Sequence, residues 1–161
     1  MDIKKYVRVI VTLILTLITM TVIFLFSNQT ADESTVLSTN VTEAIFWWGD
    51  IDIYMVAEHF VRKAAHLTEY FVLGSFLMLH LTSIGEIDLR FDKKKIFVFT
   101  MVIGIAYAIS DEIHQIFVPM RGPVITDVLI DAVGVLLGAL FVRALIKKHR
   151  RKRSDNGSKK G

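Results

Sequence analysis

Four apolar runs, each of about 20 residues, constrain this 161-residue chain more than any other feature, because a run of that length matches a hydrocarbon core of roughly 30 Å. They extend approximately from Tyr6 to Phe26, Ala64 to Ile84, Ile96 to Phe117 and Val124 to Ile146. Lipid offers no partner for free backbone N–H and C=O groups, and the strict alternation of barrel strands is missing. Each run is therefore expected to be a transmembrane helix. The first has a basic start, like a secretory signal, but its apolar stretch is longer and no small-x-small cleavage site follows it. It reads as an uncleaved anchor. A hydrophobic share of 53% and a mean hydropathy of +0.50 agree with a polytopic chain. There is no cysteine, which excludes disulfides, thiolate metal sites and cysteine nucleophiles.

Charge orients these helices. Sixteen of the nineteen Lys/Arg residues fall at the N-terminus, between helices two and three, at Arg143 and in the tail; Arg62, Lys63 and Arg121 are the exceptions. By the positive-inside rule both termini face the cytoplasm. The net charge of +3 conceals a tail, 147–161, carrying +7. Such a basic segment beside an apolar one suits a membrane face, and nothing around it points to nucleic acid. The expected architecture is an all-α membrane protein of four transmembrane helices with cytoplasmic termini. It comprises a membrane domain over 1–150 and a basic disordered cytoplasmic tail over 151–161. Between helices one and two, Val36, Leu37, Val41, Ala44, Ile45 and Trp48 recur at near-helical spacing, and Trp47-Trp48 suits the headgroup level. An amphipathic helix on the outer surface is expected there.

Ionisable groups cost about 2.5–3.5 kcal/mol each at mid-helix, so each implies a partner or a function. Arg62, His66, Glu69 and Tyr70 share a face of helix two; Asp111, Glu112, His114 and Gln115 gather at the outer end of helix three; Asp127, Asp131, Gly134 and Gly138 form a stripe on helix four. All three groups lie toward the outer boundary. Gly134-x-x-x-Gly138 is either a close-packing surface or a reflection of the high glycine content of membrane helices. Pro119-Met120-Arg121-Gly122-Pro123 reads as a tight turn, with Arg121 an interfacial anchor or the fixed cation at the mouth of a site.

Together FSNQ (26–29), RKAAHLTEYFVLG (62–74) and SDEIHQIFVPMRGPVITDVLIDAVGVLLG (110–138) resemble the VanZ-like family of small multi-pass bacterial membrane proteins. The resemblance implies a bacterial cytoplasmic membrane, an association with lowered susceptibility to teicoplanin, and a polar pattern falling on Lys63, His66, Glu69, Tyr70, Asp111, Glu112, His114, Gln115, Arg121, Asp127 and Asp131. It supplies no reaction. Met120 stands where the pattern commonly has glycine, and a stiffer turn there bears on the placement of Arg121.

Several functions fit this pattern. In a catalytic reading His66 or His114 is the general base, Glu69 or Glu112 the acid, and Asp111 and Asp131 further carboxylates, while Arg121 holds an anionic headgroup or phosphate. No serine or cysteine nucleophile motif is present, so hydrolysis would use water. His66-x-x-Glu69 and Asp111-x-x-His114 have the spacing of helix-bundle metal ligands, although no cofactor is otherwise implied. In a binding reading the same pocket takes a lipid, a lipid-linked cell-wall precursor or a lipoglycopeptide, with Lys63, Tyr70, Gln115, Arg121 and Asp127 as contacts. The third reading is a polar network that fixes helix packing. Four helices without inverted repeats argue against a monomeric carrier, an objection that homo-oligomerisation would weaken.

Overall fold

The computed structural model describes residues 2–46, 51–88, 92–122 and 124–158. Five helices account for most of them: α1 (Ile3–Ser27), α2 (Ala31–Phe46), α3 (Ile51–Gly85), α4 (Lys93–Gln115) and α5 (Ile125–Ser158). Four are long and apolar enough to cross a membrane, over Ile3–Ser27, Val56–Gly85, Lys93–Gln115 and Ile125–Lys152. These match the four runs expected from the sequence. Their outward faces carry Ile10, Leu17, Val102, Leu129 and Phe141 exposed, a display that lipid tolerates and water does not.

Local chemistry sets the ends of the elements. The Asp2 carboxylate accepts from Lys4 N–H at the start of α1, and Asp92 accepts from Lys94 and Lys95 N–H at the start of α4. The latter bonds hold the Asp92 carboxyl below its ordinary range, the Lys95 N–H contributing most among the lowering effects. Before α2, Thr30 and Glu33 form a reciprocal capping box: Thr30 N–H and hydroxyl donate to the Glu33 carboxylate, and Glu33 N–H donates back to Thr30 Oγ1.

The spanning helices alternate in direction. Arg8 near the start of α1 pairs with Glu86 just after α3, whereas Gln115 at the end of α4 donates to Ser27 at the end of α1. Helix α3 is the hub, packed on α1, α2, α4 and α5, and its most extensive contact is with α5. Glycine makes that contact possible. Added Cβ atoms at Gly134 and Gly138 would run into the α3 backbone at Leu67 and Phe71, and one at Gly74 would run into Val135. Close packing is thus the explanation of the glycine stripe. Tyr70, Leu73, Leu77, Ala108, Val135 and Ile23 form one part of the core; Met78, Leu81, Ile96, Ala139 and Val142 form the other.

Two element boundaries differ from expectation. Helix α3 begins at Ile51, well before Ala64, because Arg62 and Lys63 each find carboxylate partners and do not break the helix. Helix α5 continues past Ile146, where the apolar run ends, to Ser158. Lys and Arg are good helix formers and simply extend a helix already nucleated. Trp47 and Trp48 lie outside the described residues.

Candidate functional site

A cleft of about 710 Å³ lies where the C-terminal end of α1, helix α2 and the N-terminal half of α3 diverge. Ile18, Val22 and Phe26 of α1 line one side, and Leu37, Val41 and Ile45 of α2 another. The second set follows i, i+4, i+8 spacing and so presents one apolar stripe. Opposite polarity holds α2 in place: Ser38 and Thr42 are buried, and Ser38 Oγ donates to Glu58 Oε1 of α3 at 3.2 Å. The amphipathic helix expected from the sequence therefore turns an apolar stripe toward the cleft.

One part of the cleft is polar. Arg62, His66 and Glu69 reach it from α3, Asp111 from α4 and Arg121 from the turn before α5. The two arginines meet on adjacent hydroxyls of α2. Arg62 Nη2 donates to Thr35 Oγ1 at 2.8 Å and Arg121 Nη2 to Ser34 Oγ at 3.2 Å. Arg62 also pairs with Glu58 at 3.2 Å, four residues earlier on its helix. Arg121 forms no ion pair among the described residues; its other guanidinium nitrogen donates to the Ser27 carbonyl at 2.9 Å, closing the end of α1. Burial pushes the Arg121 guanidinium below its ordinary range, and nearby Arg62 acts in the same direction, against the pull of Asp111, Glu112 and Asp127.

Met120 precedes Arg121 in the turn before α5. It adopts φ 61°, the left-handed region in which glycine is favoured, and so retains a backbone path that a side chain makes more costly. The departure from the glycine pattern leaves Arg121 at the cleft.

Behind the cleft wall, His66 Nδ1 lies 3.6 Å from Asp131 Oδ1 of α5, and Asp131 is only 1% exposed. At this separation neither atom has a protein hydrogen-bond partner, nor has the fully buried Tyr70 hydroxyl. His66 therefore joins a buried carboxylate on one side to the cleft on the other. The remaining residues singled out in the sequence stand apart from the cleft. Lys63 pairs with Asp127 across α3 and α5, and the Glu112 carboxylate accepts from Val124 N–H just before α5. Gln115 is buried on Ser27, and the His114 ring stacks at 4.8 Å on Phe24 with Nε2 3.4 Å from Asn28 Oδ1. His66, Glu69, Asp111 and Arg121 thus converge, with Asp131 and Tyr70 buried behind them, while Lys63, Glu112, His114, Gln115 and Asp127 link helices around them. No group of three or more His, Asp or Glu side chains arranged to hold a metal ion occurs among the described residues.

Arg62 was legible as part of the α3 polar face but not as a cleft residue, since its partner Thr35 is 27 positions away. The apolar wall was less legible still. Leu37, Val41 and Ile45 signal an amphipathic helix, but nothing in their spacing says that they face α1 rather than a lipid surface.

Four helices long and apolar enough to cross a membrane and an amphipathic fifth, with a cleft between α1, α2 and α3 that is largely apolar and charged at one part, define a multi-pass membrane protein. The VanZ/LLP1 family model matches residues 12–147, most of the chain and at least part of each of the four spanning helices, and the chain belongs to the VanZ family. No curated protein and no solved structure matches it.

Proposed function

We propose that this VanZ-family protein acts at the outer leaflet of a bacterial cytoplasmic membrane, where its cleft receives a lipid or lipid-linked envelope component and thereby alters susceptibility to teicoplanin-type glycopeptides. One observation carries the reading: the apolar wall and the polar cluster belong to a single cleft. A soluble metabolite has no use for the wall, and a hydrocarbon has none for the arginines. An amphiphile uses both. The concentration of Lys and Arg at the opposite end of the bundle supports an outward-facing cleft.

A second reading, hydrolysis or group transfer on the bound molecule, is favoured by the His66–Asp131 pair. A carboxylate behind an imidazole orients the ring and stabilises its protonated form, so His66 could take a proton from water or a hydroxyl in the cleft, with Glu69 as the acid. A network serving packing alone fits less well, because such networks satisfy their members, and here the buried Tyr70 hydroxyl has no protein partner.

The test is teicoplanin susceptibility in cells producing the wild type, Glu69→Gln or Val22→Trp, with membrane levels matched. The wild type is expected to raise tolerance, and both variants to lose it, one by altering the polar part and one by filling the wall. Equal tolerance in all three would remove the cleft from the function; no effect of the wild type would end the connection to glycopeptides.

A further inference from the structure

We propose that the molecule taken by the cleft carries a phosphate, held between Arg62 and Arg121, with its hydrocarbon chain lying along the apolar stripes of α1 and α2. This rests on the amphiphile reading above and narrows it to a headgroup class.

The two guanidinium groups come from separate parts of the chain, α3 and the turn before α5, yet both donate to the first turns of α2, on the neighbouring residues Thr35 and Ser34. Both line the same cleft. Bringing two cations together in a partly buried place costs energy unless anions compensate. Glu58 accounts for Arg62, whereas Arg121 bonds only neutral oxygens, those of Ser27 and Ser34. Asp111, Glu112 and Asp127 act on its charge from nearby, but none of them takes its donors in an ion pair, which leaves its remaining N–H groups to a ligand. Arg62 Nε is also buried without a protein partner, so this guanidinium has an unused donor as well.

The planar fork of a guanidinium matches phosphate and carboxylate oxygens alike, but two forks converging from different elements suit a tetrahedral phosphate, whether a monoester with three free oxygens or a diester with two, better than a planar carboxylate. The carboxylates of Glu69 and Asp111 in the same cleft then select what surrounds the phosphate. They repel a second anion and accept hydrogen bonds from a hydroxyl or amine, as a glycerol or sugar next to the phosphate would provide. Ile18, Val22, Leu37, Val41 and Ile45 supply a wall for the chain. A phosphate without a chain would leave this wall uncovered.

The experiment uses the full-length protein in neutral detergent and measures retention of chain-matched lipids by native mass spectrometry. The probes are phosphatidic acid, phosphatidylglycerol, phosphatidylcholine and diacylglycerol, with glycerol 3-phosphate as the headgroup free of chains. Both anionic phospholipids are expected to be retained over diacylglycerol, and glycerol 3-phosphate not at all. Phosphatidylcholine, whose quaternary ammonium has no hydrogen to donate to Glu69 or Asp111, is expected to be weaker. Arg121→Gln should lower phosphatidic acid retention by about tenfold or more, the loss of one charge-assisted bond, with Arg121→Lys intermediate. Val22→Trp should lower retention of every lipid. Equal retention of diacylglycerol and phosphatidic acid by the wild type would overturn the phosphate assignment and leave the amphiphile reading intact; this comparison needs no variant to fold. Retention of no lipid would overturn both. Binding of glycerol 3-phosphate as tight as that of phosphatidic acid would overturn the lipid as its source.

Discussion

Met120 shows how one residue can depart from a family pattern and leave the site in place. A side chain at φ 61° costs about 1–2 kcal/mol relative to the right-handed region, and Met120 is 76% exposed, so it gains little packing in return. Met120→Gly should therefore stabilise the protein by about 0.5–1 kcal/mol, with Arg121 still reaching Ser27 and Ser34. Met120→Val, with a branched Cβ in the same conformation, should destabilise it. Thermal unfolding in detergent micelles decides: a lower midpoint for Met120→Gly would mean that the methionine side chain supports the turn. The polar residues of the spanning helices were legible one by one, since an ionisable group in an apolar run stands out. Their partners were not. His66 with Asp131 and Lys63 with Asp127 are each about 65 positions apart, a pairing that exists only once α3 and α5 are packed.

Helices α2 and α3 illustrate two ways in which an element is secured. Helix α2 begins in the capping box of Thr30 and Glu33, and the N–H and hydroxyl that Thr30 donates hold the Glu33 carboxyl below its ordinary range. Thr30→Ala removes the cap and should cost about 1 kcal/mol, felt locally as faster amide exchange over residues 31–36. Unchanged exchange there would show that α2 is held by its contacts with α3 alone. Helix α3, in contrast, is secured by close approach. Gly138→Ala would push a methyl group into the Phe71 carbonyl and Ser75, and should cost about 1–3 kcal/mol by forcing α5 away from α3. Chemical denaturation of the detergent-solubilised variant would measure this, and wild-type stability would mean that the helices can separate at no cost. That the glycine stripe packs could be suspected from its spacing, but composition alone explained it equally well. The backbone of α3 facing it settles the matter.

For the whole molecule, the absence of cysteine makes orientation directly testable. Single cysteines at Asp32, exposed on α2, and at Lys148, exposed near the opposite end of α5, should react differently with a membrane-impermeant maleimide applied to intact spheroplasts. The α2 site should be labelled at once and the α5 site only after permeabilisation. The reverse pattern would put the cleft at the cytoplasmic face and end the proposed outer-leaflet role.

The sequence by itself determined that the chain spans a membrane, in how many helices, and near which helix ends its polar groups gather. These are properties of composition along the chain: twenty apolar residues must be helical in lipid, and a charge among them is conspicuous whatever its neighbours. It also carried enough of the VanZ pattern for the family to be seen in FSNQ, in the His66 to Glu69 stretch and in the Asp111 to Asp131 stretch. Only the tertiary structure decided that Arg62 and Arg121 converge on α2, that His66 and Asp131 form a pair behind the cleft, and that Leu37, Val41 and Ile45 wall it. Each of those facts depends on the relative rotation and approach of helices remote in the chain, which the glycine contacts of α3 and α5 fix. An amphipathic stripe records only that a helix has an apolar side, and what that side meets is decided by packing.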